Sequence, residues 1–538
     1  MTGWMDHLII APVILPMLAG IAMILVRDRW RGATVLLGLA STVGLVVLAI
    51  MLMVLADGPV VRVYRLGDWP ALFGIVLVLD RLSALMLLLT SLLGLAAFVF
   101  SLARWHRAGP HFHPLFQFQL MGLNGVFLTG DLFNLFVFFE VMLAASYGLA
   151  LHGSGTARVR AGLHYIVVNL VASLLFLIGV SVIYGIGGTL NMADLANRMR
   201  DVAVEDRALL EAGAALLGVA FLIKAAMWPL GFWLPATYAA ASAPAAAILS
   251  ILSKVGIYAV LRVWLLLFGG DTGASAGFGG TWLTIGGLLT IAFGTLAVLA
   301  TQNLSRFAGA SLMISSGTLL AAIGTGQVAV TAGALFYLAG SVLAIGSFFL
   351  LIEIVERGRE VGADVLAVTR EAFGTGEEEE PDEPDEVGIA IPGTVAILGL
   401  AFMICALLLA GLPPLSGFLA KFAILAPLLR PSAAGVPAMT WVLMAALILS
   451  GLATLIAAVR AGIELFWASP TGRIPRISLL EIVPIGVLLL LCAALTAGAG
   501  PVMGYMQATA DALYAPQGYL AGVLAAPPAI PPAIPGGR

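Results

Sequence analysis

The sequence predicts an all-α membrane protein of about fourteen transmembrane helices, and three observations predict it. Of 538 residues, 61% are hydrophobic and only 10% are charged, where a soluble chain carries about 25% charged residues. Mean hydropathy is +1.07. Apolar runs near the roughly 20 residues that a spanning helix needs recur along the whole chain and leave no room for a soluble domain of any size.

Hydrophobic runs bounded by polar or Pro/Gly breaks place the spans at 7–26, 33–55, 76–102, 113–129, 131–151, 162–186, 208–228, 242–267, 281–300, 306–324, 328–355, 388–428, 437–467 and 477–499. On this reading, 1–110 is an N-terminal three-helix segment and 111–270 a first repeat. A second repeat fills 278–470, interrupted by an acidic loop at 371–387. The last helix occupies 476–500, and 501–538 is a C-terminal tail. The N-terminus lacks the basic stretch of a cleaved signal and reads as the first span. Basic residues gather in short cytoplasmic loops. With the N-terminus outside, thirteen arginines, Arg27, Arg104, Arg158 and Arg357 among them, fall in inner loops and seven in outer ones. Both termini are therefore expected outside.

Several function classes drop out. A net charge of -3, with no basic patch interleaved with aromatics, offers no nucleic-acid footprint. Cys405 and Cys492 both sit in apolar segments and imply neither a disulfide nor a metal framework. All six histidines lie at helix ends or in loops, His111 and His113 included, so no metal site is expected. Gly277 to Gly280 is loop rather than a phosphate cradle, and no cofactor motif is present. The acidic run Gly376 to Glu386 (GEEEEPDEPDE) reads as a solvated loop, and Ala525 to Arg538 as a Pro/Ala-rich tail of polyproline character.

Lysine usage is the most informative feature. Twenty-three of the 26 basic residues are arginine, and the three lysines, Lys224, Lys254 and Lys421, all lie inside apolar segments. Arginine is not deprotonated in proteins, whereas a buried lysine shifts its pKa readily. Burial can bring a lysine from about 10.4 down by up to 3–5 units, into the range where it releases and recaptures a proton. Glu140 is similarly central in the run 131–151. A central charge costs about 2.5–3.5 kcal/mol on insertion scales, a cost tolerated mostly where a pathway needs it. A purely structural pairing of Glu140 with one lysine, the others snorkelling toward headgroups, is the bland alternative.

Two lysines adjoin helix breakers. Lys224 precedes Trp228-Pro229-Leu230-Gly231-Phe232-Trp233-Leu234-Pro235, and Lys421 follows Gly411-Leu412-Pro413-Pro414-Leu415-Ser416-Gly417-Phe418. Proline removes a backbone donor and clashes with the preceding turn, so helices 7 and 12 should break beside their lysines. The likeness of PLGF to PLSGF suggests related halves. Helices 4–8 and 9–13 would then be two inverted five-helix repeats with discontinuous helices in corresponding positions.

The runs Pro114 to Gly153 (PLFQFQLMGLNGVFLTGDLFNLFVFFEVMLAASYGLALHG) and Leu234 to Arg262 (LPATYAAASAPAAAILSILSKVGIYAVLR) resemble the D-type subunit of Mrp-type Na+/H+ antiporters. That family is related to the antiporter-like subunits of respiratory complex I and membrane-bound hydrogenases. The resemblance covers nearly the whole chain. It implies a glutamate–lysine pair at Glu140 and Lys224, a central lysine at Lys254, and a lysine on broken helix 12 at Lys421. It also implies proton transfer along these four residues, coupled to outward sodium movement within a multisubunit membrane complex of other Mrp subunits. One departure stands out. Between Arg306 and Glu353 there is no His, Lys, Asp or Glu, so a route from Lys254 to Lys421 must use waters and groups such as Ser311, Ser315, Ser316, Thr318, Thr331 or Tyr337.

Other polar residues read as structural. Asp131 suits an N-cap, Asp80 and Arg81 an interfacial anchor, and Arg460 with Glu464 an i,i+4 ion pair. The alternative function is a proton-pumping membrane subunit of a complex I-like or hydrogenase-type redox complex.

Overall fold

The structure, a computed structural model, describes residues 6–26, 31–58, 60–71, 74–109, 111–270, 273–357, 393–430, 436–466 and 477–525. The acidic stretch 376–386 and the tail after residue 525 lie outside them. The N-terminal segment supplies α1 (Ala11–Leu25), α2 (Arg31–Ala56) and α3 (Arg81–Ser101). The first half continues with α4 (Phe112–Leu128), α5 (Leu132–Ala150), α6 (Thr156–Gly187), the short α7 (Met192–Arg198), α8 (Val204–Lys224), α9 (Trp233–Ala240) and α10 (Ala243–Phe268). The second half comprises α11 (Gly280–Ala300), α12 (Leu304–Gly324), α13 (Val328–Glu356), α14 (Gly393–Ala410), α15 (Ser416–Leu428) and α16 (Ala438–Phe466). After it come α17 (Leu479–Ala497), α18 (Ala499–Tyr514) and α19 (Gln517–Leu524).

Among the described residues, eleven helices are long and apolar enough to cross a membrane. All fourteen expected spans find their helices, α8 with α9 making the broken seventh and α14 with α15 the broken twelfth. The chain is a multi-pass membrane protein.

Three local expectations are corrected. The expected span 76–102 does not begin as helix: Val76–Leu79 is a strand paired antiparallel with Arg62–Arg65. Asp80 starts the helix afterwards, its side chain accepting from the Ser83 amide at 2.9 Å in a reciprocal capping box. Helical structure also extends beyond 499 through α18 and α19. The Tyr505 hydroxyl ties α18 to the Arg81 carbonyl at 3.0 Å, and Tyr514 lies 3.0 Å from Thr331 Oγ1. Arg460, expected to pair with Glu464, donates instead to the carbonyls of Leu299 and Thr301, 3.2 and 2.8 Å away, at the end of α11.

The helices sort by burial. α13 is enclosed along all but its ends, and α12, α10 and α3 are mostly buried too. Around them α2, α6, α16 and α17 each keep one apolar face outward, with Val54, Leu174, Ile448 and Leu490 all exposed. Apolar residues facing lipid gain nothing by association, so close packing depends on small residues. Between α11 and α12 this is explicit: a Cβ on Gly287 would stand 2.4 Å from the Ala321 amide nitrogen. The enclosed helices carry Lys254 and the hydroxyls nearest it.

Candidate functional site

The first half breaks where its prolines demand it. α8 ends at Lys224, and Pro229 cannot donate to the carbonyl of Ala225 four residues earlier. The Trp228 amide, freed from the helix, donates to Thr290 Oγ1 on α11 at 2.9 Å. Lys224 is 4% exposed, and its Nζ has no hydrogen-bond partner. The ammonium stands over the face of Phe139, 4.8 Å from the ring centroid. Glu140 is the next residue on α5, and its carboxylate accepts from Ser173 of α6. No hydrogen bond or ion pair joins Glu140 to Lys224. The two expected partners are thus neighbours held apart, each on its own docking group.

Lys254 is fully buried on α10. Regular helix lapses at Ser250–Ile251 just before it and widens to π turns over Val260–Trp264 after it. Its Nζ donates to Ser315 Oγ of α12 at 2.7 Å. Tyr258 and Arg262 follow at i+4 and i+8. The Tyr258 hydroxyl donates to the Phe127 carbonyl at 2.8 Å, and Arg262 grips Asp80 with contacts of 2.6 and 2.7 Å. Tyr258 and Tyr519 flank that guanidinium, 5.7 and 5.0 Å from its centre. Asp80 therefore does more than anchor α3 at an interface. It neutralises an arginine that sequence reasoning passed over, although the i, i+4, i+8 spacing from Lys254 could have flagged it.

In the second half, Pro414 occupies the position whose amide would have bonded the Ala410 carbonyl. Lys421 fills that vacancy: it is 8% exposed, and its Nζ donates to Ala410 O at 2.8 Å. Two glycines make the space. Gly411 has φ +76°, and a Cβ there would lie 2.8–3.0 Å from Cδ, Cε and Nζ of Lys421; a Cβ on Gly451 would lie 3.2 Å from Nζ.

Where α12, α13, α14, α15 and α16 meet lies a cavity with about 20 Å³ open to a water's centre. Ser311, Tyr337, Ser341, Ser416 and Thr454 give it polar walls. Of the hydroxyls named from the sequence, Ser315 meets Lys254, while Ser311 and Tyr337 border the cavity. Ser316 is buried without a partner, Thr318 bonds its own helix at Ile314 O, and Thr331 bonds Tyr514. Asp131 caps α5, accepting from the amides of Phe133 and Asn134 at 2.8 and 3.0 Å. Among the described residues no group of three or more His, Cys, Asp or Glu is placed to hold a metal ion.

Comparison with known proteins follows the same lines. Residues 129–453 match the family described as NADH:quinone oxidoreductase/Mrp antiporter, TM. The D-type subunit of a probable K(+)/H(+) antiporter from Rhizobium meliloti is 59% identical over 536 residues, 98% of this chain and 99% of that protein. The D-type subunit of the Na(+)/H(+) antiporter from Alkalihalophilus pseudofirmus is 34% identical over 530 residues, 97% and 100% of the two chains. A chain of the Mrp complex from Dietzia sp. superposes with a TM-score of 0.80 at 26% identity, covering 96% of this chain and 99% of that one. A chain of Thermus thermophilus respiratory complex I shares the fold, with a TM-score of 0.74 at 23% identity over 96% of this chain and 99% of that one. With more than half its length inside the family match and a relative so similar end to end, this chain belongs to the NADH:quinone oxidoreductase/Mrp antiporter membrane family.

Proposed function

We propose that this chain is the D-type, proton-translocating subunit of a multisubunit monovalent cation/proton antiporter. In this reading it works in the plasma membrane beside other Mrp-type subunits, with both termini outside, and moves ions without making or breaking a covalent bond in a metabolite. The observation that carries the reading is the placement of the three lysines. Each is buried within the helical bundle, and each stands where regular helix is interrupted or lapses nearby. Every other basic residue is arginine.

The proposed sequence of events starts from the separated pair. With Glu140 on Ser173 and Lys224 on Phe139, the ammonium lacks an opposing charge, and this separated state is the one that passes a proton toward Lys254. When the carboxylate swings to Lys224, attraction between opposite charges restores the proton. Lys254 passes its proton on to Lys421, whose site beside the Ala410 carbonyl accommodates the charged form. Relatives are named for K+ at 59% identity and for Na+ at 34%, so the exchanged ion is a monovalent alkali cation and both need assay.

The test uses the whole complex in everted vesicles, following collapse of a proton gradient on adding NaCl or KCl. Lys224→Ala should abolish the response while the complex still co-purifies. Exchange at the parental rate would remove the lysine path. The shared fold with a complex I chain keeps a second reading in view, a pumping subunit of a redox complex. Iron–sulfur proteins co-purifying with the chain, in place of small membrane subunits, would favour it.

A further inference from the structure

A second cavity, at one end of the bundle, takes no part in the function proposed above. It lies where α1 ends, α2 begins and the segment after α3 turns into α4, and about 290 Å³ of it is open to a water's centre. We infer that it binds the phosphate headgroup of an anionic phospholipid, whose acyl chains then lie along α1 and α2.

The polar wall is basic. Arg107, His106, His111 and His113 line it with Thr34, and among the described residues it carries no carboxylate. His113 is 7% exposed, yet its Nδ1 has no hydrogen-bond partner. A buried polar atom left in that state calls for a ligand or a water. In either neutral tautomer the ring has one N–H to give, and a phosphate oxygen would accept it. Arg107 Nε donates to His106 Nε2 at 3.0 Å, which holds the guanidinium at the cavity while its two terminal nitrogens keep their donors. Phe112, His113 and Pro114, the first turn of α4, also border the space, and that helix starts without a side-chain cap. Its free amides and positive dipole end favour an anion there.

The apolar wall identifies the kind of phosphate compound. Met23, Val26 and Val35 form it, and their chain neighbours Leu25 and Leu36 are 78% and 68% exposed. A free phosphate gains nothing from such a surface. A phospholipid sets its charge among the basic groups and its chains against the leucines. The location agrees, because four spanning helices end or begin here, where the chain leaves the hydrocarbon. The topology proposed above puts this end on the cytoplasmic side, where basic pockets between spanning helices recruit anionic headgroups.

The test uses the intact complex in phosphatidylcholine vesicles, doped with phosphatidylglycerol or phosphatidylcholine carrying a photoreactive diazirine on one acyl chain. After irradiation, labelled peptides are quantified by mass spectrometry. Peptides holding Met23 or Val35 should take the phosphatidylglycerol probe at least about fivefold more than the phosphatidylcholine probe. The peptide holding Trp282, exposed on α11, should show no such preference. Arg107→Gln should reduce the preference about fivefold, and His113→Leu should reduce it as well. A preference no greater than that at Trp282, or one unchanged in both variants, would overturn the site. Loss of the preference on adding millimolar inorganic phosphate would assign the cavity to the free ion and overturn the lipid. Should His113→Leu not assemble, the exposed Arg107 decides alone. Labelling is read without ion exchange, so its failure is distinct from failure of the lysine path.

Discussion

Ser173→Ala is the sharpest perturbation of the proposed gate. Ser173 is buried and donates to the Glu140 carboxylate, holding it off Lys224. A hydrogen bond to a charged group contributes about 1.5–3 kcal/mol net, so its loss shifts the balance between separated and closed pairs about 10–150-fold toward closed. In the closed pair the ammonium keeps its proton more firmly, and release requires higher pH. At about 1.4 kcal/mol per pH unit, the half-maximal pH of exchange should move in the alkaline direction by about one to two units. The assay is initial exchange rate against pH in vesicles carrying the intact complex. A double-mutant cycle isolates the cause: in a Glu140→Gln background, Ser173→Ala should add no further shift. A profile matching the parent, an acid shift, or a full shift persisting without the carboxylate would each refute this account of Ser173.

Three further outcomes follow from the geometry. Phe139→Leu removes the ring beneath the Lys224 ammonium, a contact worth about 2 kcal/mol when desolvated; with that support for the charged form gone, the exchange profile should shift in the acid direction, by about one unit, opposite to Ser173→Ala. Lys254→Arg keeps a charge that cannot be given up, and exchange should fall by about 100-fold or more, although the complex still assembles. Arg262→Leu strands the Asp80 carboxylate, and removing one partner of a buried pair costs about 3–5 kcal/mol; thermal aggregation of the solubilised complex should begin at lower temperature, and adding Asp80→Leu should recover most of the loss.

Much of this architecture was readable in the chain because membrane physics writes in long runs. Apolar length marked the spans, proline marked both breaks, and the scarcity of lysine marked three of the four ionisable groups on the proposed path. Where the reading failed, a local signal was weak or lost in a stronger one. Val76–Leu79 is as apolar as the helix after it, and only the cap at Asp80 separates strand from helix. α18 carries Gln507 and Asp511, so it lacks the uniform hydropathy that identified the spans. Ser173 and Phe139 have nothing unusual in their sequence surroundings. Their roles arise because α6 brings a hydroxyl to Glu140 and α5 presents a ring to Lys224, juxtapositions set by tertiary packing alone. The hydroxyls of α12 and α13 were legible as a set, but only the packing shows that Ser315 meets Lys254 while Thr318 bonds its own helix and Thr331 bonds Tyr514.

The two halves solve the same problem differently, and the difference assigns control. Each carries a lysine next to a proline-broken helix, and in each the break strips a carbonyl of its helical donor: Ala225 before Pro229, Ala410 before Pro414. Only Lys421 uses the freed carbonyl, at 2.8 Å. A carbonyl is a fixed dipole, so its support for the charged form of Lys421 does not vary during a cycle unless the backbone moves. Lys224 leaves its carbonyl unused and sits on a neutral ring, within reach of a carboxylate that currently bonds elsewhere. In the proposed cycle its stabilisation is switched by movement of the Glu140 side chain. A conduction path with one switchable end and one fixed end is gated at the switchable end. On that reasoning partner proteins that regulate exchange would act on α5 and α6, whose outer faces expose Phe133, Val137, Leu170 and Leu174, rather than on the break beside Lys421.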